Sequence, residues 1–253
     1  MKTMICAFCA LASLALAAAP ELKPLNILAF SKTEGFRHDS IPNAIKAFAE
    51  MANEHDWNIT FTEDGAFFNT GVLDRMDVVV FIMTTGDILD EAQQDAFKAF
   101  IQRGGGFVAV HSGGTVTEYD WDWFRKMIAA KFTGHPPVCE GTLIVEDRDH
   151  PATRHFEHKE VIWEDEFYTF DRNPRDEVRV LISIDEDSYD IENNPWFDGV
   201  DLRMGDHPLV WSREFEGARI VQTSLGHTIE KYDDPRFRQH LAGSVKWVAG
   251  QED

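Results

Sequence analysis

The sequence predicts an α/β fold, a flavodoxin-like doubly wound and mostly parallel sheet with antiparallel strands added in the C-terminal half. Three observations carry this. Short apolar runs alternate with amphipathic runs over the first 115 residues, the connections between them are short, and the second half is rich in strand-like segments around a hairpin signal. Parallel strands joined through helices cross over right-handed, which leaves few other topologies.

Pro24 to Ser31, PLNILAFS, reads as the first buried strand. After the polar loop KTEGFRHD comes a helix that Ser40 can cap, with Pro42 in its first turn, where a missing N–H is no loss. Ile41, Ile45, Phe48 and Ala52 share one face of it. NITFTED is the second strand, and DVVVFIM (Asp77 to Met83) is the third, apolar enough to be covered on both faces. A helix from about Asp90 to Arg103 then buries Ala92, Ala96, Phe97, Phe100 and Ile101, and Gly104 to Gly106 end it. FVAVH is the fourth strand. GTLIVED, VRVLISID and the two runs flanking EFEGAR supply further strands, the last two as a hairpin, and a helix from about Pro235 to Ala249 closes the chain. The polar stretch from Asp185 to Asp206 reads as a long surface loop.

At 253 residues, 43% of them hydrophobic, the chain suits one large domain, and no Pro-, Gly- or Ser-rich linker divides residues 18–253. The start, MKTMICAFCALASLALAAAP, has the lone Lys2, the apolar run and the small-residue Ala15-Leu16-Ala17 of an export signal, with cleavage expected after about Ala17. That run is short for a membrane anchor of about 20 residues, so a periplasmic or secreted protein is expected. Cys139 would then be the one remaining cysteine, and stability must come from the core. A net charge of −20 repels phosphate backbones and anionic lipid, so nucleic acid is not an expected partner.

The stretch GGGFVAVHSGGT places His111 and Ser112 in a turn at the carboxyl edge of the fourth strand, where ligand sites form in such sheets. Ser112 reads either as a nucleophile on a strand-to-helix elbow or as a serine satisfying the turn; the leading Gly of G-x-S-x-G is missing. His111 reads either as an acid, base or ligand or as a hydrogen-bonded core histidine. His38 and His227 follow two other strands in the same way, so parallel neighbours would gather the three imidazoles in one crevice. His135, between glycine and prolines in FTGHPP, is a further candidate, whereas His150, His155, His158, His207 and His240 read as surface or capping residues.

Two acidic pairs stand beside aromatic residues, Asp165 and Glu166 in WEDEFYTF and Glu118 and Asp120 in TEYDWDWF. Burial there raises a carboxyl pKa and can leave a proton donor, although Glu118 and Asp120 also suit helix capping. Trp121, Trp123, Phe124, Tyr168 and Trp196 could face the C–H side of a sugar ring, with Arg37 and carboxylates reading its hydroxyls; Trp121 or Trp123 is the favoured platform, and the core is the competing place for both. No HExxH, paired cysteine or DxD cage marks a metal site, yet His38, His111 and His227 together would resemble an open divalent-metal site. Without GxGxxG, a nicotinamide cofactor is not expected.

EGFRHDSIPNAI, TTGDILDEAQQDAFKAFIQRGGGFVAVHSG, TEYDWDWF, FTGHPPV, VEDRDHPAT, EDEFYTF and HPLVWSREFEGARIVQTSLGHTIEKYDDPRFRQHLAGSVKWVAG together resemble the ThuA-like (trehalose utilisation) family, in order and across almost the whole chain after residue 17. The resemblance implies a class I glutamine amidotransferase-like fold and a link to disaccharides and their oxidised 3-keto forms. Amidotransferases of this fold carry a cysteine in G-x-C-x-G; here Ser112 stands in that run and Cys139 is far off, and a serine hydroxyl ionises far above pH 7, so glutaminase chemistry is not expected. ThuA-like relatives often have alanine at the position of Ser112, while His38, His111 and His227 look like the family habit.

The expected function is therefore that of an exported enzyme acting on a glycoside or its 3-keto derivative by elimination, isomerisation or hydrolysis. His38, His111 and His227 would be acid/base groups or ligands, with Asp165 or Glu166 as partner carboxylate. Arg37, Ser112, Glu118, Asp120, Trp121, Trp123, His135 and Tyr168 are the candidates for holding the sugar. A non-catalytic sugar-binding or accessory protein, and a serine hydrolase using Ser112, are the competing readings.

Overall fold

The structure, a computed structural model, describes residues 23–115 and 121–251; the N-terminal export-signal reading falls outside them. Its elements run β1 (Asn26–Phe30), α1 (Ile41–His55), β2 (Asn58–Thr62), α2 (Thr70–Leu73), β3 (Val78–Ile82), α3 (Glu91–Gln102), β4 (Gly106–Val110), α4 (Asp122–Ile128), β5 (Phe132–Gly134), β6 (Cys139–Val145), β7 (Glu160–Asp165), β8 (Thr169–Phe170), β9 (Arg179–Asp185), β10 (Pro208–Phe215), β11 (Ala218–Thr223) and α5 (Pro235–Val248).

Nine strands form one sheet in the order β2-β1-β3-β4-β11-β10-β9-β6-β7. The first five are mutually parallel and the rest antiparallel. β3 and β4 lie at the centre of the parallel part and are buried at every residue, as their unbroken apolar runs require. Alternate residues feed two cores: Val78, Val80 and Ile82 pack on the side of α1 and α5, and Val79 and Phe81 on the side of α2, α3 and α4. On the second side Phe81 stacks on Phe97 and Phe124, with ring centroids 5.3 and 5.8 Å apart. This is the doubly wound, flavodoxin-like sheet that the sequence predicts. Among the described residues no helix is long and apolar enough to cross a membrane.

Local chemistry accounts for most boundaries. α3 opens with a capping box in which the Asp90 carboxylate accepts from Gln93 N–H while the Gln93 side chain accepts from Asp90 N–H. The β10–β11 hairpin turns through Glu216 and Gly217, both at positive φ (48° and 95°), the backbone that a two-residue hairpin favours. Because β11 returns parallel to β4, its end is delivered to the same edge as those of β1, β3 and β4.

Ala92 on α3 is exposed rather than buried, and three further expectations need correction. Ser40 precedes α1 but makes no side-chain cap; its hydroxyl donates to the His227 carbonyl oxygen at 2.6 Å. Asp185 to Asp206 is not simply a surface loop, since Glu186, Ile191 and Leu202 are buried. His150, His207 and His240 are buried rather than superficial. His207 is held between Glu186 and the Tyr168 carbonyl, at 2.8 and 2.9 Å.

His240 on α5 donates Nδ1–H to the Ala152 carbonyl at 2.8 Å, and its Nε2 has no partner. Burial lowers its pKa from the usual 6.5 to about 3. Between those values the unfolded chain binds a proton that the folded chain refuses, so stability is intact above the unfolded pKa and is lost as pH falls, by about 1.4 kcal/mol per pH unit at full slope. His240→Asn, whose amide can replace the Nδ1–H donor, is expected to flatten the fall in urea-unfolding stability between about pH 6 and pH 4. An equally steep fall in the variant would assign the acid sensitivity elsewhere.

Candidate functional site

The site is built on the turn after β4. His111 follows the strand with φ +53°, a left-handed backbone that a non-glycine residue adopts at a cost of about 1–2 kcal/mol. The strained residue of the elbow is thus His111, one position before Ser112. The turn also passes hard against the end of β3, where a Cβ on Gly113 would sit 2.3 Å from the Phe81 carbonyl oxygen. His111 is fully buried, and its Nδ1 lies 2.7 Å from the Ser224 carbonyl oxygen. A carbonyl only accepts, so Nδ1 carries the proton and Nε2 of the neutral ring presents a lone pair. The Tyr168 hydroxyl donates to that lone pair at 2.7 Å.

His227 enters from the loop after β11. The buried Asp165 carboxylate, at the end of β7, fixes this loop by accepting from Gly226 N–H (2.8 Å), His227 N–H (2.9 Å), the Trp163 indole (3.1 Å) and Glu166 N–H (3.0 Å). Asp165 therefore faces the backbone that carries His227, and Glu166 is the member of the pair that faces the imidazoles. Glu166 Oε2 lies 3.0 Å from His227 Nδ1 and 3.5 Å from His111 Nε2, and Oε1 lies 3.5 Å from His135 Nδ1. His38 comes from the loop after β1, with its ring centroid 4.7 Å from that of His111 and 5.2 Å from that of His227. The rings of His111 and His227 are 5.2 Å apart. The parallel strands thus gather the three histidines as their order in the sheet predicts.

Burial of Glu166 opposes its ionisation, but its contacts with the His111 and His227 imidazoles prevail and hold its carboxyl well below the usual range. His227 moves upward: burial alone would lower it, and the Glu166 carboxylate outweighs that. Burial and the neighbouring imidazoles bring His38 down to about 2, and burial lowers His135. Burial pushes the Tyr168 phenol well above its ordinary value, so its proton stays available as a donor. The arrangement combines an anion, a histidine biased toward its charged form and a histidine held neutral. One ligand atom from each of His38, His111, Glu166 and His227 falls within a set no more than 4.8 Å across, so these four are also the residues able to hold a metal ion.

The cluster opens into a cavity of about 400 Å³, lined by His38, Ser112, His135, Glu166, Tyr168 and His227 together with Phe36, Thr85, Thr115, Phe132, Trp196 and Phe197. Phe36 and Trp196 are 65% and 59% exposed, so two large aromatic faces stand open at its rim. Other sequence candidates lie elsewhere. Trp121, just before α4, is buried against Phe97 and Phe124 in the second core, and Trp123 packs half-buried at the edge of that core with its indole N–H donating to Glu216; neither lines the cavity. Arg37 pairs with Glu63 at 2.6 Å on the surface. Glu118 and Asp120 lie outside the described residues. Sequence reasoning missed Phe36, Phe132 and Phe197; Phe36 and Phe197 sit beside the candidates Arg37 and Trp196, but in loops without a periodic pattern to aim their side chains.

Ser112 Oγ is buried at the cavity wall with no hydrogen-bond partner, so no imidazole activates it. A fluorophosphonate probe is expected to leave the protein unlabelled by intact-mass analysis. A stoichiometric adduct on Ser112 would establish a serine nucleophile instead.

The family model described as ThuA, trehalose utilisation, matches residues 26–248. No curated protein sequence matches. Among solved structures, a ThuA-like protein from Bacteroides uniformis superposes with a TM-score of 0.74 at 21% identity, over 92% of this chain and 95% of the other. A ThuA-like protein from Parabacteroides merdae gives 0.68 at 19% identity, over 90% of each chain. A cytoplasmic protein from Salmonella typhimurium gives 0.60 at 10% identity, over 88% of this chain and 99% of the other. At these identities the superpositions establish the fold, and with the family match across nearly all of the sheet, the chain belongs to the ThuA family.

Proposed function

We propose that this protein is an exported enzyme that acts on a small carbohydrate, a glycoside or its 3-keto derivative, by proton transfer at the Glu166–His227–His111 cluster. One observation carries the reading: a carboxylate and converging imidazoles line a cavity of small-molecule size whose rim presents open aromatic faces. Faces of the Phe36 and Trp196 type suit the C–H side of a sugar ring, and the family's description as trehalose utilisation points to the same substrate class. Export rests on the signal read in residues 1–17. Glutaminase chemistry has no thiol here, since Cys139 does not line the cavity and burial raises its pKa to about 11.

A 3-keto group acidifies the adjacent ring C2–H. In the proposed step a base of the cluster takes that proton, the electron pair forms the enolate of the ketone, and its collapse expels the oxygen at C1. A proton from an acid of the cluster completes the departing alcohol, leaving an unsaturated keto sugar. Water adding to that product would give net hydrolysis. Glu166, a carboxylate on the cavity wall 3.0 Å from His227, is placed to take the proton, and His227, biased toward its charged form beside it, suits the acid. His111 Nε2 and the Tyr168 hydroxyl, joined by a hydrogen bond, can hold a proton between them.

The test is incubation of the protein with native and 3-oxidised glycosides, read by mass spectrometry. Cleavage to a free alcohol is expected for a 3-keto glycoside, and Glu166→Gln should lower turnover by about 10²- to 10⁴-fold while ligand affinity changes far less. Binding without turnover of any glycoside would make the protein a sugar-binding accessory. Full activity in Glu166→Gln would remove the cluster from the chemistry.

A further inference from the structure

We propose that His38, His111, Glu166 and His227 form a binding site for one first-row divalent transition-metal ion, of the zinc or manganese class. The proposal goes beyond the carbohydrate reading and stands apart from it, since an ion can be held whether or not a sugar is turned over.

The spacing is the first argument. An ion bound tetrahedrally at about 2.0–2.1 Å from imidazole nitrogen and about 2.0–2.2 Å from a carboxylate oxygen keeps neighbouring ligand atoms about 3.3–3.5 Å apart. His227 Nδ1 lies 3.3 Å from His111 Nε2, His111 Nε2 lies 3.5 Å from Glu166 Oε2, and His227 Nδ1 lies 3.0 Å from Glu166 Oε2. Three donors therefore already stand near the edge lengths of a coordination polyhedron, and a ring nitrogen of His38 completes the set within 4.8 Å.

The second argument is the direction of the lone pairs. With the His111 Nδ1 proton committed to the Ser224 carbonyl, Nε2 and Glu166 Oε2 are two acceptors facing each other. Such a contact is favourable when a positive charge lies between them. His38 adds an independent sign: it is 94% buried among these groups and its Nδ1 has no hydrogen-bond partner, a buried polar atom aimed into the cluster with nothing to bind. The bond from Nδ1–H to a backbone carbonyl is also what commonly orients a metal-ligating histidine.

Ligand type selects the class of ion. Three nitrogens and one carboxylate suit zinc, manganese, iron, cobalt or nickel, whereas calcium and magnesium prefer oxygen throughout. His38, Glu166 and His227 line the cavity, so the ion would border the space where a substrate oxygen could approach. The Tyr168 hydroxyl donates to the same His111 nitrogen and so competes with an ion for it.

The test uses the purified full chain, stripped with chelator and titrated with Zn²⁺ and separately with Mn²⁺ by calorimetry, with thermal unfolding as a second readout. One ion per chain is expected, with micromolar or tighter affinity and a raised Tm. His38→Ala, His227→Ala and Glu166→Gln should each weaken binding at least about 100-fold, beyond the effect usual for a residue that only orients a ligand. Cobalt should give a visible absorption spectrum that these variants lose. Tyr168→Phe, which removes the competing donor, should keep the ion, as should His240→Asn. Glu166→Gln and the cobalt spectrum decide the matter if a histidine variant fails to fold. Absence of a stoichiometric site, or affinity unchanged in the folded ligand variants, overturns the proposal. Failure of the carbohydrate reading appears separately, as no turnover by either the loaded or the stripped protein.

Discussion

The Asp165 carboxylate is the constraint on which the site depends. A carboxylate removed from water is tolerated only when its oxygens are matched by donors, and here four N–H groups converge on one residue at the end of β7. Two of the donors belong to the backbone of Gly226 and His227, and one to the backbone of Glu166. One buried anion therefore fixes where both His227 and Glu166 leave the main chain. Ser40 adds a second tie, donating to the His227 carbonyl from the loop that carries His38. The two loops most able to drift apart are thus held by charge and hydrogen bonds at the point where their side chains must meet.

The same over-determination explains how His111 keeps a left-handed backbone. Its ring is bonded at both nitrogens and its turn is pressed against β3, so relaxing the dihedral would break the Ser224 and Tyr168 bonds and open a packed wall. Strain of one or two kcal/mol is small against those losses, and such strain is characteristically kept where a side chain must be aimed. The outcome is an imidazole whose Nε2, bonded to Tyr168, points into a cluster rather than toward solvent.

The fold was legible because the central strands are apolar on both faces and each is followed by a turn and a helix-spaced run. The three histidines followed from topology alone: each comes after a parallel strand, and parallel strands end on one edge. Asp165 and Glu166 were not told apart, although alternation along EVIWED contains the answer. Val161, Trp163 and Asp165 share the buried face of β7, while Glu166 lies past the strand end and is free to turn toward the edge. Trp121 and Trp123 were drawn toward the sugar by their chemistry, but Trp121 sits against Phe97 and Phe124 and is taken by the aromatic core, with Trp123 packed at that core's edge. The real rim comes from Phe36, Trp196 and Phe197, in segments whose path is set by tertiary contacts. No local pattern could have aimed them.

Those tertiary contacts show why the antiparallel half of the sheet matters. The parallel strands deliver His38, His111 and His227, yet imidazoles alone give neither a fixed negative charge nor a wall. Glu166 and Tyr168 come from the chain between β7 and β8, and His207 ties the Tyr168 carbonyl to Glu186 at the start of the long loop. Glu186 in turn accepts from the backbone of Met204 and Gly205, closing that loop on itself and fixing the frame that carries Trp196 and Phe197. Cluster and cavity therefore exist only at the seam between the two halves of the sheet. A flavodoxin-like core with the same three histidines but without the added strands would have proton acceptors at an open edge, with no carboxylate to polarise them and no enclosure to strengthen that polarisation.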